Sequence, residues 1–200
     1  MKTPLKFLLA LLLPVLAFGK GILINPGSVV AASGGGGGSG DTSFITGQTV
    51  GTLRADFTAS VGMQVTIAGT DVVVTQLGRW VISGNSQTHI LRIYSDPFGT
   101  PTLLGSVTVN TSGATAGAYL YGTLSSPVTL TASTAYVIVS DETNGGDQWS
   151  GSDASVTHTA VATVDQAVYR GGATGGSGTF GAGGSTNNAF GPIAFKYSSP

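Results

Sequence analysis

From residue 41 onward, apolar residues recur in short runs, and each run is closed by Gly, Pro, Asn, Asp or Ser. Val61–Ile67 alternates: Val61, Met63, Val65 and Ile67 on one side, Gly62, Gln64 and Thr66 on the other. A period of two buries one face of a β-strand and wets the other. Similar runs lie at Phe44–Thr46, Thr49–Leu53, Val72–Arg79, His89–Tyr94, Leu103–Val109, Ala118–Leu124 and Val128–Leu130. Ala135–Ser140, Thr157–Val164, Ala167–Tyr169 and Ile193–Tyr197 complete the series. Val72-Val73-Val74 does not alternate, which predicts cover on both faces. Ala135–Ser140 is apolar enough for a central strand. Ala68-Gly69-Thr70-Asp71 reads as a hairpin between Val61–Ile67 and Val72–Arg79, and Arg54–Phe57 reads as a turn. No segment has helical periodicity, and turn signals recur about every eight to twelve residues. Residues 41–200 are therefore expected to form an all-β domain, an antiparallel β-sandwich of jelly-roll or fibronectin-like type.

Residues 1–40 follow other rules. Lys2 and Lys6 precede an apolar run from Phe7 to Phe18, interrupted by Pro14. A membrane-spanning helix needs about 20 apolar residues, so this run is too short to span. Its basic start, apolar centre and small flanking residues match a secretory signal peptide over residues 1–19, with Ala31-Ala32 as the other cleavage region. The alternative is a retained hydrophobic anchor or assembly plug. Residues 20–40 combine an apolar island, Ile22-Leu23-Ile24-Asn25-Pro26 with Val29-Val30, and the Gly-rich run Ser33–Gly40. That run lacks the Lys-Ser/Thr of a phosphate-binding loop and reads as a flexible linker.

Composition narrows the function classes. Charged residues make up 8% of the chain, against about 25% in an average globular protein. The net charge is -1, so no basic surface is available to neutralise nucleic-acid phosphates. The chain has no Cys, which excludes disulfides, thiolate metal sites and a Cys nucleophile. The two histidines, His89 and His158, form no zinc-type pair, and no Gly-x-Ser-x-Gly elbow is present. No enzyme is expected.

The chemistry concentrates in one loop. Four of the nine acidic residues fall between Asp141 and Asp153: Asp141, Glu142, Asp147 and Asp153. Oxygen ligands in a Gly-rich loop suit calcium, although their spacing matches no known calcium loop and a solvated turn is the competing reading. Trp149 closes the loop. With Trp80, Tyr94, Tyr119 and Tyr121 it can supply flat faces for sugar stacking, while Asn144, Asp147 and Gln148 take hydroxyl groups. Core or loop-anchoring roles for Trp80 and Trp149 stand beside that reading. Asn110-Thr111-Ser112 matches an N-glycosylation sequon.

Several strings carry a resemblance: Gly78-Arg79-Trp80, Ser83-Gly84-Asn85-Ser86, Gly105–Ala114, Ser126–Leu130 and Gly145-Gly146-Asp147-Gln148-Trp149. Over Phe44 to Tyr169 the chain resembles a recurrent fibronectin- or jelly-roll-like β-sandwich module of unknown function. That module occurs in secreted bacterial multi-domain proteins and in some phage structural proteins. The resemblance implies a non-catalytic accessory domain and assigns no functional residues. Ile22–Pro26 resembles the opening segments of phage virion proteins. The expectation is a secreted or surface module for adhesion or carbohydrate binding. The alternative is a structural subunit of a virion appendage or filament, self-associating through residues 20–32.

Overall fold

The computed structural model describes residues 41–172, 178–191 and 193–198. The expected leader, apolar island and linker of residues 1–40 lie outside them, as do residues 173–177 of the second Gly-rich stretch. Numbered in chain order, the strands are β1 (Thr42–Ser43), β2 (Ile45–Thr49), β3 (Leu53–Arg54), β4 (Ala59–Ile67), β5 (Val72–Trp80), β6 (Thr88–Ser95) and β7 (Thr102–Asn110). They continue with β8 (Tyr119–Leu130), β9 (Ala135–Glu142), β10 (Trp149–Ser150), β11 (Ser155–His158), β12 (Ala162–Gly171), β13 (Gly181–Gly183) and β14 (Ile193–Ser198). No helix occurs among the described residues, so none there is long and apolar enough to cross a membrane.

The domain is a β-sandwich. A six-stranded antiparallel sheet, in the order β13-β12-β4-β9-β6-β7, packs against a four-stranded sheet in the order β1-β14-β5-β8. Two short ladders, β2–β11 and β3–β10, complete it. The alternation read in the sequence sets the core. Met63, Val65 and Ile67 of β4, Leu91 and Ile93 of β6 and Ile138 of β9 pack with Val72, Val74 and Leu77 of β5, Leu124 and Leu130 of β8 and Phe195 of β14. Phe44 joins this core by stacking on Phe195, with ring centroids 4.4 Å apart.

β9 is central, between β4 and β6. Its unbroken apolar run has a structural cause. Ile138 faces the sandwich core, while Val137 and Val139 face the other side of the sheet, where Phe180 folds over them with Tyr94 and Val168. Phe180 is fixed there by its N–H, which donates to Pro97 O at 3.0 Å.

Five local expectations are corrected. Residues 68–71 do not form a hairpin: β4 pairs with β9 and β12, and β5 pairs with β8 and β14. Each of the two runs has an apolar face to bury, and opposing them across the core buries both. Val73 is only half-buried, so β5 is not covered on both faces. Ala118–Leu124 and Val128–Leu130 merge into β8, which loops out between Thr123 and Val128 while β5 passes from Gln76 to Val74. That irregularity accommodates Pro127, which has no N–H to give to a ladder. Thr157–Val164 is divided between β11 and β12, and Thr49–Leu53 is broken after Thr49.

Because Ile138 is fully buried between the sheets, Ile138→Ala is expected to lower stability by about 3 kcal/mol through lost transfer energy and a residual cavity. Urea unfolding would register this as a lower midpoint at unchanged slope.

Candidate functional site

The last two residues of β9 point to opposite faces of the six-stranded sheet, and this separates Asp141 from Glu142. Asp141 faces outward, where it accepts hydrogen bonds from Ser60 Oγ at 2.8 Å and from Arg92. Glu142 points into the gap between the sheets. There Arg79 of β5 grips it with a two-pronged fork, Nε to Oε1 and Nη2 to Oε2, both at 3.0 Å. Ser140 Oγ donates to the same carboxylate at 2.7 Å. Both members of the pair are about 1% exposed. The remaining Arg79 donors go to carbonyls, Nη1 to Trp80 O and Nη2 to Gln148 O, each at 3.2 Å.

His89 extends this network. Its Nδ1 lies 3.0 Å from Asp141 O and its Nε2 lies 3.0 Å from Asp147 Oδ2, so both ring nitrogens face acceptors. Asp147 also accepts the N–H groups of Ser86 and Gln87 and, at 2.6 Å, the Thr111 hydroxyl. Burial by itself would push the Asp147 carboxyl up. The bonds from Thr111, His89, Gln87 and Ser86 together outweigh it and lower the pKa from 3.8 to about 2. Asn85 and Gln148 pair reciprocally: Asn85 Nδ2 donates to Gln148 O, and Gln148 N donates to Asn85 Oδ1, both at 3.0 Å. The polar loop is thus stapled to the Ser83–Thr88 turn and to Thr111, and its side chains are consumed in holding it.

The expected metal set does not come together. Asp153 sits on a different turn, where its carboxylate accepts Thr52 N at 2.9 and 3.0 Å and Thr52 Oγ1 at 2.7 Å. Among the described residues no three His, Asp or Glu side chains are placed to hold one ion. The physical reason is that each of the four carboxylates already faces a cation, an imidazole or N–H and O–H donors.

The expected aromatic platform divides into three. Tyr94 belongs to the outer cluster under Phe180, where the Arg170 guanidinium lies 4.6 Å from its ring centroid. Trp80, Tyr119 and Tyr121 gather on the four-stranded sheet, with neighbouring centroids 5.1 and 5.8 Å apart. Trp80 packs edge-to-face on Tyr119, and the Lys196 ammonium lies 4.5 Å from the Tyr121 ring centroid. Trp149 is not a loop-exposed residue: it lies in β10, 2% exposed. Asn144 is exposed and its N–H donates to Thr58 Oγ1, while Asp147 and Gln148 point into the staple.

Trp149 instead forms one wall of a pocket of about 170 Å³, lined also by Arg54, Phe57, Val61, Tyr169 and Phe190. Its rings meet at steep angles. Phe57 and Tyr169 stand at 89°, Tyr169 and Phe190 at 85°, Phe190 and Trp149 at 81°, with centroids 5.9 to 6.2 Å apart. Arg54 lies 4.9 Å over the Trp149 ring and is held by a fork to Asp56 at 2.9 and 3.1 Å. Val61 and Tyr169 are register partners in β4 and β12. The third wall exists because β13 is nearly side-chain-free. A Cβ on Gly181 would lie 2.8 Å from the Tyr169 ring, and one on Gly183 would lie 2.9 Å from Phe190. Trp149 Nε1 and Ser150 Oγ are buried without a partner. A larger depression of about 350 Å³, between residues 68–72 and 159–161, is walled mainly by small residues and has Tyr197 as its sole ring.

Sequence reasoning missed Phe57, Tyr169, Phe190 and Arg54. Phe57 carried the one available signal, a large aromatic residue in a segment otherwise read as a turn.

Two predictions follow from the network. Asp147 has a folded pKa below its ordinary value, so its contribution, about 2 kcal/mol, is complete above pH 5 and is lost as pH falls toward 2. Thr111→Val removes one of the donors that lower this pKa, and acid titration of the melting temperature should fall less steeply. Arg79→Met leaves Glu142 buried without its cation and should cost about 3–5 kcal/mol in chemical denaturation. The double variant Arg79→Met/Glu142→Leu should recover much of that loss. No family model and no curated protein matches the chain.

Proposed function

We propose that this domain is a non-catalytic carbohydrate-binding module of the adhesion type, secreted or surface-exposed, with one sugar ring seated against Tyr169, Phe57 and Arg54, above the buried Trp149 and Phe190 that support them. The observation that carries this reading is a concave aromatic pocket with a charged rim on a surface otherwise poor in charge. Aromatic rings stack on the C–H faces of a pyranose, and a few polar groups fix its orientation. Arg54, which lines the pocket and is held by Asp56, is the polar group available for hydroxyls. The pocket has room for one ring-sized group, which suits a single sugar residue of a longer glycan rather than a large cofactor. A non-catalytic role is favoured because His89, Asp147 and Glu142 are buried and mutually engaged, leaving none of them free to transfer protons to a substrate.

Tyr169 is 42% exposed, so Tyr169→Ala should keep the fold. It should weaken binding of any glycan identified on an array by about tenfold, the equivalent of about 1.4 kcal/mol. Titration calorimetry on wild type and variant measures this. Absence of binding across the array, or equal affinity of the variant, would count against the proposal.

A further inference from the structure

Arg54 ends β3, and Asp56, two residues on, turns back onto it. The fork runs from Nε to Oδ1 at 2.9 Å and from Nη2 to Oδ2 at 3.1 Å. The pair is open to solvent, with side chains 38% and 64% exposed. Exposed ion pairs add little to stability, because water competes for both partners. Stability therefore does not account for the fork. Its effect is on the guanidinium. One face of that group lies over the Trp149 ring, and one edge is closed by Asp56. The fork uses two of five N–H groups, and among the described residues Arg54 makes no other hydrogen bond. Three N–H groups are left for a ligand, on a cation whose charge is already met. The bond from Arg54 also lowers the Asp56 pKa, so this carboxylate is ionised at neutral pH. A second acid stands close by. A Cβ on Gly151 would lie 2.9 Å from Asp153 Oδ1 and 3.5 Å from Arg54 Cδ.

We infer that Asp56 is a specificity-determining residue of the pocket, and that it restricts the ligand to an uncharged sugar. The inference rests on the reading of the pocket as a sugar site. A hydroxyl or ring oxygen accepts from the free N–H groups of Arg54 without bringing a second charge to the rim. The carboxylate of a uronic acid is matched by paired donors on one guanidinium edge. Asp56 already holds the Nε–Nη2 edge. At the remaining N–H groups that carboxylate would share one cation with Asp56 and Asp153, and like charges brought together oppose binding. The ammonium of an amino sugar would meet Arg54 itself, which lines the pocket. Tyr169 and Phe57 supply contact area for the ring of either sugar and no charge to offset these penalties.

Methyl glucoside, methyl glucuronide and methyl glucosaminide, with the matching galactose series, vary the charge on one ring. The NMR signals of the Trp149 indole N–H and Arg54 Nε–H report binding. At low salt, wild type should bind the neutral member of a series about tenfold more tightly than either charged member. Benzoate puts the same question without a sugar, since its ring suits the aromatic lining and its carboxylate suits Arg54. Asp56→Asn, at an exposed position, should keep the circular dichroism spectrum and bind benzoate about tenfold more tightly than wild type. The double variant Arg54→Gln/Asp56→Asn should lose that gain. Equal binding of glucoside and glucuronide by wild type would overturn the proposal. So would a folded Asp56→Asn variant with no gain for benzoate, or a gain that survives in the double variant. If wild type binds neither sugar series while Asp56→Asn gains benzoate, the sugar reading of the pocket fails and the exclusion of anions by Asp56 is upheld.

Discussion

The Arg79–Glu142 fork is the interaction on which the arrangement of this molecule depends. It joins the two sheets through a region where neither partner meets solvent. A buried ion pair gains little net stability, since desolvation offsets most of the Coulombic attraction. Its effect is positional. A carboxylate in that gap tolerates few geometries other than the fork, and the fork sets β5 and β9 at one register across the core. Arg79 also reaches the Gln148 carbonyl, which places the chain that enters β10. The same contact therefore sets where Trp149 stands, and with it one wall of the aromatic pocket.

In a chain with nine acidic residues, four are paired with a basic side chain, and three of those four are buried. Asp141 meets Arg92, Glu142 meets Arg79, Asp147 meets His89, and Asp56 meets Arg54. Glycine has two distinct uses here. In the turns it supplies positive φ, as at Gly84 and Gly145. In β13 it supplies the absence of a side chain, so that Tyr169 and Phe190 can lie against bare backbone. The pocket is thus made as much by what β13 lacks as by the rings themselves.

The strands were legible in the sequence because their signal is local. Alternation in Val61–Ile67 and the apolar run of Ala135–Ser140 reflect a two-residue period and burial, which neighbouring residues alone encode. The polar character of residues 141–149 was equally plain. What those carboxylates do was not, because their partners lie far along the chain: Arg79 is 63 residues from Glu142, His89 is 58 from Asp147, and Arg92 is 49 from Asp141. A loop rich in oxygen ligands and a loop stapled by distant cations read alike until those cations are placed. The aromatic residues show the same limit, since Trp149 stands with Phe57, Tyr169 and Phe190 through sheet registers that no local pattern records. By itself, then, the sequence determined the all-β class, the run of short strands and the charge-poor surface. Tertiary structure alone decided which runs share a sheet, which carboxylates are neutralised and which rings surround a cavity, because each of those depends on contacts between segments whose separation in the chain is unrelated to their distance in space.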